Sequence, residues 1–448
     1  VVNKLSSGSL QSIIADTVAS MINAGNAGLM IGIAVSGLVS ALYWIFVTNT
    51  FVVILRRMFL EMRTYEEVPA NRLMYLRNAR CWSRTSLAHL RASVQLMLWY
   101  VTIIGGFIND KIGPKWVIFA GGLLFGLGFV MCSFATSVAM LIVGFGLLCG
   151  IGMSFAYGCT ISNSVKFFPD KRGLIGGIAT ASYGISSVLI PPIANALITR
   201  LSVTTAFMVF GVATIIIVCV FSFMVEKCPA NFVPAGWTPP APTGELKAAA
   251  PDKSWKQMLS TPIFYVMIIM LFFGANFGMM AISQASGIAQ NMIGMTAAQA
   301  AIVVSVLALF NAFGRIIAGF LSDKIGRINT LTLVFIIAIA ALMALYACGE
   351  GSVVLFYIGI CLIGVCFGAF MGIYPGFTAD NFGTKNSSVN YGIMFFGFSA
   401  AGLIGPQIMS SIYKSSGAYQ PAFLVAAVMA VVGLALSFVY RAVYKRSH

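Results

Sequence analysis

Acidic residues are scarce in this chain. Twelve Asp and Glu stand against 27 Lys and Arg in 448 positions, and none of the twelve falls in the ten apolar runs that follow residue 108. Charge of either sign is rare, at 9%, while 59% of the residues are hydrophobic and mean hydropathy is +0.93. That balance excludes a soluble globular domain. A net charge of +15 would suggest nucleic acid in a soluble chain. In a membrane chain it reflects basic cytoplasmic loops, so no nucleic-acid partner is expected. His89 and His448 are the only histidines and make no metal site. The nine cysteines form no CxxC pair and read as packing residues, not as a disulfide or zinc framework. No phosphate loop of the form GxxxxGKS or GxxxxGKT is present, so any transport must draw on a gradient. No nucleophile–base constellation appears, so neither an enzyme nor a cofactor is expected. Residues 1–27 lack a basic stretch followed by an apolar core, so no cleavable signal peptide is expected, and Val1 points to a start further upstream.

What the chain has is apolar runs. They lie near 28–54, 93–108, 116–137, 138–161, 173–198, 205–225, 262–287, 298–321, 330–348, 352–376, 390–412 and 419–440. Most are long enough to cross a bilayer. The stretch Asn311 to Arg327 ends one of them with a polar exit, and a near copy lies earlier. Gly106-Phe-Ile-Asn-Asp110-Lys111-Ile-Gly113 repeats Gly319-Phe-Leu-Ser-Asp323-Lys324-Ile-Gly326, with Arg327 following. This repeat predicts a duplicated bundle: an all-α polytopic membrane protein of twelve helices in two six-helix halves. If the 106–115 loop faces the cytoplasm and the runs alternate, fifteen Lys and Arg fall inside and only Arg200 and Lys414 outside. The C-terminus is then cytoplasmic, in a multi-pass membrane protein.

Residues 1–104 form an atypical N-terminal membrane segment. Positions 55–92 hold eight arginines, which oppose the positive-inside bias if 93–108 spans. Either 93–108 is re-entrant, or its helix begins earlier with Arg84 and Arg91 on a polar face. An ordinary external loop at 55–92 is not expected. Residues 105–225 complete the N-terminal bundle. The stretch 226–260 carries six prolines, from Pro229 to Pro251, and reads as a cytoplasmic linker. Residues 261–448 make the C-terminal bundle.

The paired loops, the duplication and the central linker resemble the major facilitator superfamily. More narrowly, four strings are similar to its oxalate:formate antiporter family. They are Lys166-Phe-Phe-Pro-Asp170-Lys171-Arg172-Gly173, Gly236-Trp237-Thr-Pro-Pro240, Gly314-Arg315 through Asp323, and Asn390-Tyr391-Gly392. The resemblance covers about 105–440. It implies an alternating-access transporter of small organic anions, with a proton or counter-anion as co-substrate, working as a monomer in the lipid bilayer. The family's oxalate carrier bears a lysine where Phe398 stands here, so the resemblance implies a monocarboxylate in place of a dicarboxylate. Residues 1–104 do not resemble the family's first two helices. A transport-inactive fusion and a membrane sensor with a transporter fold remain alternative readings.

Arg315 carries the most chemistry. It lies eight residues before Asp323 within an apolar run. A charge at that depth costs roughly 2.5–3.5 kcal/mol on insertion scales and needs a partner or a wet cavity. A carboxylate substrate would meet the guanidinium two-pronged. The alternative is that Arg315 snorkels or bonds backbone carbonyls. Tyr157, Tyr183, Asn276, Gln284, Asn311, Tyr374 and Tyr391 are further candidates for the same cavity, with Phe395, Phe396 and Phe398 as an apolar wall. Tyr157 and Tyr374 occupy comparable places in the two halves. Pro191 and Pro192 should bend the 173–198 run. Gly106, Asp110, Lys111, Gly113, Gly319, Asp323, Lys324, Gly326 and Arg327 form the candidate gating motif. The glycines would admit a close neighbour, and each aspartate would engage a helix N-terminus or a cation in one conformational state.

Overall fold

The computed structural model describes residues 101–135, 140, 142–229, 232 and 252–447. The run 28–54, the arginine-rich 55–92, the first half of 93–108 and most of the linker lie outside the described residues. So does the side chain of Tyr183.

The described residues form a helical bundle with no strand. Helix α1 covers 101–112, and α2 is Pro114–Ser133. A π-helical segment, Ile142–Cys149, leads into α3, Gly150–Phe167. Next come α4, Arg172–Arg200, and α5, Val203–Ser222. A short helix at the end of the linker, α6, is Trp255–Leu259. Then follow α7, Pro262–Asn291, α8, Ala297–Ile325, α9, Arg327–Tyr346, and α10, Val353–Phe382. Helices α11, Ser387–Met394, and α12, Phe396–Ser416, form one span with a joint at Phe395. Last is α13, Gln420–Ser447. Among the described residues, nine spans are long and apolar enough to cross a membrane.

In each of the ten apolar runs after residue 108 the described residues are mainly helical. Three boundaries differ in ways that matter. Helix α1 continues four residues past 108, which lengthens a run that read as too short to span. Helix α10 continues to Phe382, so this span does carry an acid, Asp380, in its last turn. Helix α8 likewise runs on through Asp323 to Ile325. Helix α4 passes through Pro191 and Pro192 without ending.

Local chemistry accounts for the ends. Thr296 and Gln299 form a reciprocal capping box at the start of α8. Pro262 sits in the first turn of α7, where its missing N–H costs nothing. Gly113 and Gly326 hold φ of 92° and 90°, a region L side chains avoid, and each turns the chain sharply after its motif.

Two apolar cores result. The smaller joins α2, α3 and α5 around Phe125, Phe129, Phe207 and Phe210. The larger fills the C-terminal helices around Phe277, Phe335, Phe356 and Phe370, and takes in Tyr157, Ile161 and Val165 of α3. The two sets of helices meet most closely where α8 is pinched between α4 and α10. An added Cβ at Gly177 or Gly372 would collide with the Arg315 carbonyl, and one at Gly184 would lie 2.9 Å from the Ala312 Cβ. Small residues let these backbones touch without lipid between them.

Candidate functional site

Arg315 lies in that pinch, only 9% exposed. Its Nε donates to Asn311 Oδ1 at 3.3 Å, one turn earlier. Its Nη1 donates to the Thr180 carbonyl of α4 at 2.6 Å. The bond to the Thr180 carbonyl ties α8 of the C-terminal half to α4 of the N-terminal half, while Asn311 holds the guanidinium from its own helix. Tyr157 of α3 lies near both Arg315 and Tyr391 of α11. Phe395 packs on Tyr157 at 5.5 Å, on Tyr391 at 5.8 Å and on Phe398 at 4.7 Å between ring centroids. One cation and an aromatic wall thus share the boundary between the halves.

The structure brings Arg315, Asn311, Tyr157, Tyr391, Phe395 and Phe398 into this neighbourhood, and places Tyr374, Asn276, Gln284 and Phe396 elsewhere. Tyr374 is a correction. Its hydroxyl donates to the Met267 carbonyl at 2.9 Å, fully buried in the C-terminal core. Gly372, two residues earlier, faces Arg315; two residues turn a helix by about 200°, so Tyr374 points away. The same reasoning moves Asn276. Gly274 and Gly278 face Phe370 and Phe367 of α10, while Asn276 packs at Gly405 of α12. Gln284 is half-buried two turns further along α7. Phe396 is 36% exposed, on the outward side of α12. Asn311 positions the arginine through its own Oδ1.

Both motif loops lie at one end of the bundle, and there the halves are bolted together. Asp323 of α8 accepts the Gly173 N–H at 2.9 Å and the Leu174 N–H at 2.7 Å, from the first turn of α4. Asp110 of α1 accepts the Val389 N–H, in the first turn of α11, at 3.3 Å. Each aspartate therefore caps a helix of the other half, where unsatisfied N–H groups and the helix dipole favour a negative charge. Arg327 pairs with Asp323 and donates Nε to Asp380 at 2.9 Å. Arg172 donates to the other Asp380 oxygen at 2.8 Å, again from half to half. Asp110 has Lys166 at 3.3 Å instead, because Pro114 stands where the second copy has Arg327.

Backbone contact completes the closure. A Cβ at Gly106 would lie 2.8 Å from the Ser388 carbonyl oxygen. The Ser388 hydroxyl meets Asn109 Nδ2 at 2.7 Å and the Ser162 hydroxyl at 2.8 Å. A cavity of only about 10 Å³, the size of a single water, remains between Ile161, Ser162 and Val165 on one side and Pro375, Ser387 and Tyr391 on the other. The motif end is shut. Lys111 and Lys324 correct the expectation that the whole motif takes part. Both are exposed, and Lys324 stands over the Phe320 ring at 4.5 Å.

Asp380, Arg172 and Ser388 were not singled out by sequence. The scarcity of acids was a usable signal, since only eight Asp and Glu follow Gly105. The Thr180 carbonyl has no sequence signature at all.

A family model for the Major Facilitator Superfamily matches residues 27–406. The match begins at residue 27, well inside the 1–104 segment, and corrects the expectation that this segment does not resemble the family. The chain is 29% identical over 339 residues to the oxalate:formate antiporter of Oxalobacter formigenes, covering 74% of this chain and 77% of that protein. It is 28% identical over 295 residues to the uncharacterized MFS-type transporter YhjX of Escherichia coli, covering 66% and 71%. Monocarboxylate transporter 12 of Rattus norvegicus is 25% identical over 371 residues, covering 77% and 75%. Among solved structures, FucP in its outward conformation superposes with a TM-score of 0.65 at 14% identity, over 92% of this chain and 98% of that one.

Proposed function

The chain belongs to the Major Facilitator Superfamily, and from that premise we propose that it exchanges small monocarboxylates across a bacterial inner membrane by alternating access. The carrying observation is Arg315, a buried cation held at the boundary between the halves and adjoining an aromatic wall. A guanidinium recognises a carboxylate in two-pronged geometry, and the wall suits an apolar tail. Phe398 in that wall supplies no second cation for a dianion. Relatives named for oxalate:formate and monocarboxylate transport support the same substrate class.

The motif aspartates are the gate. In this state they hold the motif end closed, and rocking residues 105–225 against 261–448 about the 226–260 linker would open it. Exchange is favoured over proton symport because no Asp or Glu lies in the middle of any apolar run to carry a proton. The superfamily match upstream of residue 105 favours an intact transporter over a fusion. Purified protein in proteoliposomes should take up a labelled monocarboxylate when the lumen holds an unlabelled one. A collapsed proton gradient should leave that counterflow intact. Uptake from empty vesicles driven by a pH gradient would instead establish symport.

The motif end faces the cytoplasm in this reading. Cysteines engineered into residues 233–250 and at the C-terminus should resist an impermeant thiol reagent in intact cells and react after permeabilisation. Ready labelling from outside would invert the topology.

A further inference from the structure

Residues 252–259 sit beside the closed motif end, joined to one half and touching the other. Asp252 Oδ1 accepts the Thr384 N–H at 2.9 Å and the Lys385 N–H at 3.0 Å, in the turn between α10 and α11. The Lys253 N–H donates to the Phe382 carbonyl at 2.9 Å. The Lys253 carbonyl in turn accepts Asn386 Nδ2 at 3.2 Å and Asn390 Nδ2 at 3.0 Å. Gly383 makes this docking possible: its φ is 81°, and a Cβ there would meet the Asp252 Cα at 2.6 Å. Ser254 and Gln257 then start α6 with a reciprocal capping box. Met258 is fully buried, and Trp255, half-buried, lies edge-on to Phe107 of α1 at 6.3 Å.

We infer that Asp252–Leu259 is a strap that latches the motif end shut, with the Trp255–Phe107 contact as its catch. The strap's hydrogen bonds go to the α10–α11 turn, which belongs to its own half and travels with it. Trp255 reaches across to Phe107, next to Gly106 and three residues before Asp110. Any motion that draws α1 away from α11 must part Asp110 from Val389, Asn109 from Ser388, and Trp255 from Phe107 together. The catch therefore stabilises the closed state alone. An aromatic pair of this kind is worth a shift of about two- to tenfold in the closed-to-open ratio. The inference rests on alternating access but not on any particular substrate.

The test uses the full chain in nanodiscs, with genetically encoded spin labels replacing Lys111 and Lys385, both exposed. Distances between the labels are measured without substrate. Trp255→Ala should move two- to tenfold more molecules into a long-distance population, and Trp255→Phe should keep most of the short one. Indistinguishable distributions for wild type and Trp255→Ala would overturn the strap. A second arm joins Phe107→Cys to Trp255→Cys with a short bifunctional thiol reagent. Counterflow should stop when bridged and return on reduction, while either single cysteine leaves it running. Undiminished counterflow by the bridged protein would equally overturn the proposal. Because the distance measurement involves no substrate, a failed carboxylate assignment would leave its outcome unaffected.

Discussion

Arg315→Gln should abolish carboxylate counterflow while the protein still inserts and purifies normally. Glutamine keeps a donor near Asn311 and the Thr180 carbonyl but removes the charge. A charge-assisted, two-pronged bond is worth about 3 kcal/mol, so a loss of roughly a hundredfold is expected. Arg315→Lys should recover little. An ammonium has no planar fork, and it cannot reach both Asn311 and Thr180 while also meeting a ligand. Phe398→Lys in the same competition assay should shift preference toward dicarboxylates, because it places a second cation in the aromatic wall beside Phe395 and Phe367. The gain should be modest, since a new buried charge is costly when the site is empty. Normal counterflow by Arg315→Gln would make Arg315 a structural tie, and the anion assignment would then rest on the relatives alone.

The second large effect is at the gate, and it should be unequal between the two motif copies. Asp323→Asn leaves two N–H groups of α4 with at most one good acceptor, and leaves Asp380 as the one carboxylate facing both Arg327 and Arg172. Removing one partner from such a part-buried charged cluster costs about 3 kcal/mol. The closed state should lose about a hundredfold in population, and transport should fall with it. Asp110→Asn should cost several times less, because it gives up one N–H contact at 3.3 Å and one lysine at 3.3 Å. Distances between labels on the two halves at the motif end should report the order wild type, Asp110→Asn, Asp323→Asn in increasing openness. Equal effects, or a larger one at Asp110, would contradict the asymmetry traced to Pro114 and Arg327.

The paired loop motif was legible in sequence for a physical reason. Its marks are local: a glycine at a close approach, an aspartate at a helix end and a glycine with positive φ all fall within eight residues. Duplication printed those marks twice. Arg315 was legible because a charge in an apolar run is conspicuous against so little other charge. Where sequence spacing failed, it failed on direction. Tyr157 and Tyr374 hold comparable places along their helices, yet one faces the boundary and the other the Met267 carbonyl. A similar turn of the helix sent Asn276 toward Gly405.

The sequence by itself determined that this chain crosses a membrane repeatedly, where its spans lie, that it is internally duplicated, and which cation stands out. Those properties depend on composition, length and short spacing, and need no neighbour. Only the tertiary structure decided what each of these residues touches. Asp323 caps a helix 150 positions away, and Arg315 bonds a carbonyl 135 positions away. A backbone acceptor has no side chain to announce it, and a helix face is assigned only when another helix packs against it. Partners so distant in sequence become neighbours only when the glycines of α4 and α10 let three helices close on one another.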